Sequence, residues 1–107
     1  MAQLKSAAMI DLNSGDNDIY TIPSGVTQVK LSEIILANKD TNATANLSVK
    51  IYKKTIDQFV TIIPSTSLLA LESKFISMST FLTEGDIITV TSNLINKVDV
   101  MVSCVEM

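Results

Sequence analysis

The last quarter of the chain carries its clearest hydrophobic pattern. Val98, Val100, Val102 and Cys104 alternate with Asp99, Met101 and Ser103. Strict period two predicts a strand with one buried face and one wetter face. Ahead of it, residues 87–92 (Ile-Ile-Thr-Val-Thr-Ser) read as another strand, opened by the turn residues Thr83, Glu84, Gly85 and Asp86. Gly85 suits a positive φ there, and Asp86 can bond its own turn. Asn93 and Asn96 bracket the link between the two strands, and asparagine tolerates left-handed backbone angles, so the pattern predicts a closing hairpin.

Similar signals run through the rest of the chain. Ala8, Ile10 and Leu12 alternate, which predicts a first strand over residues 4–12; residues 13–18, Asn-Ser-Gly-Asp-Asn-Asp, read as a turn cluster. A short strand over residues 19–22 ends at Pro23-Ser24-Gly25. Residues 26–38 form the next strand. Its apolar phase switches between Val29/Leu31 and Ile34/Leu36, which predicts a bulge near Ser32 and Glu33. After a polar loop over residues 39–44, Leu47, Val49 and Ile51 alternate cleanly with Ser48, Lys50 and Tyr52. Residues 53–57 turn the chain, a strand over 59–63 stops at Pro64, and another runs over 68–73, with 75–81 continuing it or standing alone. No stretch holds a 3.6-residue period, and β-branched residues abound. The predicted fold class is all-β: a β-sandwich, jelly-roll or immunoglobulin-like, of seven to eight short antiparallel strands. The predicted buried set includes Val49, Ile51, Ile88, Val90, Val98, Val100 and Val102.

At 107 residues the chain is long enough for one core and too short for two. The expectation is a single domain over residues 1–107, with residues 1–12 as an N-terminal arm or as the first strand. Apolar residues make up 47% of the chain, which excludes a disordered polypeptide. The net charge is −3 and every basic residue is lysine. Without arginine or a basic stripe, nucleic acid is not an expected partner. Histidine is absent too, which removes the commonest general base and the commonest metal ligand. No apolar run is long enough to span a membrane, and the run at residues 7–10 is too short for a signal-peptide core. The expectation is a soluble protein made inside the cell. Cys104 is the one cysteine, on an apolar strand face, and reads as a small buried hydrophobe rather than a reactive thiol.

Candidate chemistry is sparse. Asp11, Asn13, Gly15, Asp16 and Asp18 have the flavour of a calcium loop, but Gly15 stands where that loop needs an oxygen ligand and Ile22 where it needs its closing glutamate; an acidic turn is the plainer reading. Two glycosylation sequons, at Asn42 and Asn46, carry no weight without a signal peptide. Glu33, Glu72, Glu84, Asp86 and Asp99 supply carboxylates for a glycosidase pair, but the chain has three Phe, two Tyr and no Trp to line a sugar groove. The expectation is therefore no catalytic residue, no metal, no cofactor, no small-molecule substrate and no enzyme activity. Lys50, Lys53 and Lys54 form the one basic cluster, either a charged strand edge that resists aggregation or a contact to an acidic neighbour.

A resemblance adds to this. Residues 19–26, Ile-Tyr-Thr-Ile-Pro-Ser-Gly-Val, resemble an opening found in small structural proteins of tailed-bacteriophage virions. Ile34-Ile35-Leu36-Ala37-Asn38 before a Thr/Asn loop, Glu84-Gly85-Asp86-Ile87-Ile88-Thr89-Val90, and the ending at residues 98–106 are similar to further segments of that family, in the same order. The resemblance covers most of the chain from Ile19 onward. It implies a non-enzymatic, virion-borne subunit made in the host cytoplasm. Such a subunit binds copies of itself and a major capsid or other virion protein as a decoration or cement protein; the alternatives are a neck, tail or fibre-attachment subunit. A carbohydrate-binding adhesion module is the rival from another class.

Met101, Val105, Met78, Ile87 and Tyr52 fall on faces predicted to point outward, which reads as a surface partly covered by partners and favours a symmetric homo-oligomer, a ring or trimer, over an isolated monomer. Leu4, Lys5, Lys39, Asp40, Lys50, Lys53, Lys54 and Met101 are the expected partner-binding residues. Residues 1–10 are a candidate arm that adds a strand to a neighbour's sheet.

Overall fold

The computed structural model describes residues 3–106. Eight strands follow one another: β1 (Gln3–Met9), β2 (Gly15–Thr21), β3 (Val29–Asn38), β4 (Ala45–Lys53), β5 (Gln58–Leu68), β6 (Ser73–Leu82), β7 (Ile87–Ser92) and β8 (Val98–Glu106). They form two four-stranded antiparallel sheets, in the orders β1-β8-β3-β6 and β2-β7-β4-β5. Only β4 and β5 are consecutive strands paired in one sheet; every other link crosses from one sheet to the other. This is the jelly roll, the first of the two sandwich topologies that the sequence left open.

The core lies between the sheets. Leu31, Ile34 and Leu36 from β3 and Val98, Val100 and Val102 from β8 point down from one sheet; Leu47, Val49 and Ile51 from β4 and Ile88 and Val90 from β7 point up from the other. All seven residues expected in the core are buried. The bulge in β3 is present, as a register shift between Leu31 and Glu33 against both neighbours.

Five local readings are corrected. The closing hairpin does not form, because β7 pairs with β2 and β4 while β8 pairs with β1 and β3. Asn96 does take φ 60°, but the link it serves bridges the sandwich, and its N–H donates to the Leu12 carbonyl (2.9 Å). The acidic turn at 13–18 is largely strand: β2 starts at Gly15, and the buried Asn17 amide donates to the carbonyls of Asn13, Gly15 and Val90. Pro64 does not stop its strand, because β5 is an edge strand paired only with β4, where a missing N–H goes unfelt. Residues 69–72 are a tight link rather than a strand, with Leu71 at φ 62° and the Glu72 carboxylate accepting from the Leu69 N–H. Met78 faces inward against the core.

The links gather at two ends. The β1–β2, β3–β4, β5–β6 and β7–β8 links share one end. There Asn38, buried, donates to the carbonyls of Ala43, Leu68 and Leu69, and accepts from the Asp40 N–H. The β2–β3, β4–β5 and β6–β7 links share the other, where the Ile22 N–H donates to the Asp86 carbonyl and the Gly85 N–H donates to the Ile22 carbonyl.

Candidate interaction surfaces

The two outer faces differ in chemistry. On the β2-β7-β4-β5 face, polar side chains satisfy one another. Asp16 accepts from the Thr91 hydroxyl (2.6 Å) and pairs with the Lys50 ammonium (2.9 Å). These two contacts, the hydroxyl first, hold the Asp16 carboxyl below the usual aspartate range. Thr89 donates to Asp18. The Lys50 ammonium also lies 4.4 Å from the centre of the Phe59 ring, and Phe59 meets Tyr52 edge-on at 5.4 Å.

The β1-β8-β3-β6 face carries one wholly apolar row and a second broken only by Lys30. Strand register sets Ala8, Met101, Ile35 and Phe75 side by side across all four strands. A second row holds Leu4, Val105, Lys30 and Phe81. Between them runs a polar row of Ser6, Ser103, Glu33 and Ser77. Leu4 is 83% exposed, Phe75 69%, Phe81 49% and Met101 41%. Neither Lys30 nor Glu33 enters an ion pair among the described residues. The exposed apolar residues of this face thus fall in two rows separated by a polar one, and only the first row is apolar throughout.

The eight expected partner-binding residues are scattered. Leu4 and Met101 share the apolar face. Lys5 is on the same edge strand, opposite Cys104 and at core-side parity, where an inward charge blunts the sheet edge. Gln3–Met9 pairs along β8 over its whole length, while Met1 and Ala2 of the expected arm lie outside the described residues. Lys39 sits at the four-link end, bound to Asp11 and to Asp99 (2.9 Å), and both carboxylates raise its pKa, Asp11 the more. Asp40 accepts from the N–H groups of Ala43 and Asn42, which lower its pKa. Lys50 is engaged on the opposite face. Lys53 and Lys54 are at the three-link end, where Asp86 accepts from the Lys53 ammonium (2.5 Å) and the Lys54 N–H (3.0 Å). The lysines thus largely hold the chain's own links together. The signal the sequence reading missed is the pair of rows: Ile35, Phe75 and Phe81 enter it only once the register is known.

The acidic residues do not converge. Asp11 and Asp99 share Lys39, Asp16 and Asp18 serve β7 threonines, Glu84 accepts from the Gly25 N–H, and Asp86 is buried in its clamp. Among the described residues no three His, Cys, Asp or Glu side chains gather as a metal site.

No protein-family model matches the sequence, and no curated protein matches it. Solved structures do. A chain of the capsid of Helicobacter pylori bacteriophage KHP30 superimposes with a TM-score of 0.60 at 15% identity, covering 97% of this chain and 85% of that one. A chain of the IBDV viral particle gives a TM-score of 0.61 at 7% identity, covering 98% of this chain and 35% of its own length. Murine APRIL gives 0.60 at 14% identity, covering 98% of this chain and 100% of its own. At these identities the likeness establishes a jelly-roll fold shared with phage and viral capsid chains and with a TNF-like protein.

Proposed function

We propose that this chain is a non-enzymatic structural subunit of a virion, decorating or cementing a larger capsid or tail protein. The observation that carries the reading is the β1-β8-β3-β6 outer face. A small jelly roll that leaves one apolar row open, and a second broken only by Lys30, is suited to lying against protein; on its other outer face hydroxyl–carboxylate bonds close the β2–β7 side, and the exposed Phe59 is engaged by Lys50 and Tyr52. The near-complete overlap with a phage capsid chain supports the same reading, as does the ordered resemblance to tailed-phage structural proteins. Carbohydrate adhesion is disfavoured by the same face, whose exposed aromatics are phenylalanines on a flat sheet rather than polar-tipped rings in a groove.

Particle association tests it. An antibody raised against the recombinant chain is expected to label purified virions by immunogold. The protein is also expected to stay with particles through a density gradient. Recovery only in the particle-free fraction overturns the proposal, and specific binding on a glycan array with no particle association favours the adhesion module.

A further inference from the structure

We infer that the β1-β8-β3-β6 face is occupied by a second copy of the same chain, packed about a two-fold axis parallel to the strands and lying between β8 and β3. The inference gives this contact face to a second copy, so that the larger virion protein would be met by the dimer's remaining surface; it stands on the chemistry of the face and not on the virion assignment.

The argument is self-complementarity. The outward side chains on edge strand β1 are small or flexible, Ser6 and Ala8 with Leu4 at the end; on the opposite edge β6 they include Phe75 and Phe81. The face is therefore low on one edge and high on the other. A two-fold along the strands turns each edge onto the other, so Phe75 comes over the partner's Ala8 and Phe81 over the partner's Leu4. On the central strands, Ile35 meets the partner's Met101. Rows stay in register, apolar on apolar except where the Lys30 stem lies over the partner's Val105, and the polar row sets Glu33 against the partner's Ser103, a hydroxyl donor for a carboxylate that enters no ion pair among the described residues.

Charge separates this axis from the other simple choice. A two-fold running across the strands through the polar row would place Glu33 directly on the partner's Glu33, which is unfavourable. The strand-parallel axis avoids that and sets Lys30 diagonal to the partner's Glu33. Two sheets stacked this way keep their strands within about 30° of each other, as sandwich faces do.

The area fixes the strength. Four strands about 4.8 Å apart, over roughly seven residues of about 3.3 Å each, give a patch of about 19 by 23 Å, or on the order of 900 Å² for both copies. That lies below the roughly 1,200 Å² of a stable specific interface, in the range of transient contacts, so the dimer is weak and concentration-dependent, with Kd on the order of micromolar or above.

Sedimentation velocity of the full chain, from micromolar to millimolar, reads the result. The wild type is expected to shift from monomer to dimer. Ala8→Phe places bulk where the partner's Phe75 must sit, and is expected to weaken the dimer at least about tenfold. The double variant Ala8→Phe with Phe75→Ala swaps high and low across the pair and is expected to restore it. Both sites are exposed, and circular dichroism checks that each variant folds. A wild type that stays monomeric at millimolar concentration overturns the inference, as does a dimer that ignores both variants or a double variant that fails to recover. A monomer that still stays with particles through the gradient overturns this inference and leaves the virion reading standing.

Discussion

Asp86 offers the sharpest test of how the sandwich is held. Its carboxylate is fully buried, at 0% exposure. It accepts from the Lys53 ammonium (2.5 Å), the Thr83 N–H (2.9 Å) and the Lys54 N–H (3.0 Å), and so ties the β6–β7 link to the β4–β5 turn. Asp86→Ala breaks the ion pair and strands two backbone donors. Truncating one partner of a buried pair costs about 3–5 kcal/mol, and an unsatisfied buried donor about 1–3 kcal/mol. Lys53 keeps 25% side-chain exposure, so its ammonium reaches water and the ionic share falls. We expect about 3 kcal/mol of lost stability for Asp86→Ala, and roughly half that for Asp86→Asn, which keeps one acceptor oxygen. Urea unfolding followed by far-ultraviolet circular dichroism measures both. A loss below about 1 kcal/mol for the alanine variant would refute the clamp. Acid supplies a second readout. Burial alone would raise the Asp86 pKa, but the Lys53 ammonium and the Thr83 and Lys54 N–H groups outweigh it and leave it below 3.8. A depressed folded-state pKa means the stabilisation is complete above the unfolded value and is lost as pH falls through the folded one. The wild type is therefore expected to lose stability below about pH 3.8, and Asp86→Asn to lose less over the same range.

Val100 is buried on the core face of β8, so Val100→Asp places an unpaired charge between the sheets; a loss of several kcal/mol, on the order of 3–5, is expected, and near-wild-type thermal stability would refute the face assignment. Gly85 has φ 86°, and an added Cβ would fall 2.2 Å from the Lys54 Cδ. The lysine side chain can swing away but the backbone cannot, so Gly85→Ala is expected to cost about 1–2 kcal/mol in urea unfolding, and a neutral result would mean that the turn relaxes. Burial, and secondarily Glu106, raises the Cys104 pKa, so the thiol is expected to react with a disulfide reagent only after denaturation; rapid labelling of the folded protein would contradict its packing.

Strand periodicity made much of this molecule legible. The alternation of Val98, Val100 and Val102 against Asp99 and Met101 marks a half-buried strand whatever it pairs with, and the phase change at Ser32 marks a bulge by the same logic. Pairing partners were not legible. Period two says which face a residue takes but not which strand lies beside it, and a short Asn-bounded link between two strands looks like a hairpin. In a jelly roll the same link crosses the sandwich, so Asn96 gave the right backbone angle, Asn93 did not take one, and the topology read from the pair was wrong. Asp86 was half legible: the bond to its own turn follows from Thr83-Glu84-Gly85-Asp86, while the reach to Lys53 and Lys54 needs β4–β5 to arrive at the same end.

The outer face was the least legible feature, for a reason that bears on what it does. Each strand there contributes only one or two exposed apolar residues, and singly such residues are ordinary on any protein surface. Ala8, Ile35, Phe75 and Met101 are far apart in sequence and become a row only through three separate registers. The opposite face shows that the fold does not oblige an apolar exterior, since Asp16, Asp18, Thr89, Thr91 and Lys50 bond one another across most of it and leave one row, Ile87, Tyr52 and Phe59, with apolar character. Polar pairs thus dominate the outer face of one sheet and aligned apolar residues that of the other, and it is the second that the proposed contact would use. Register, rather than composition, is therefore what makes the proposed contact face legible.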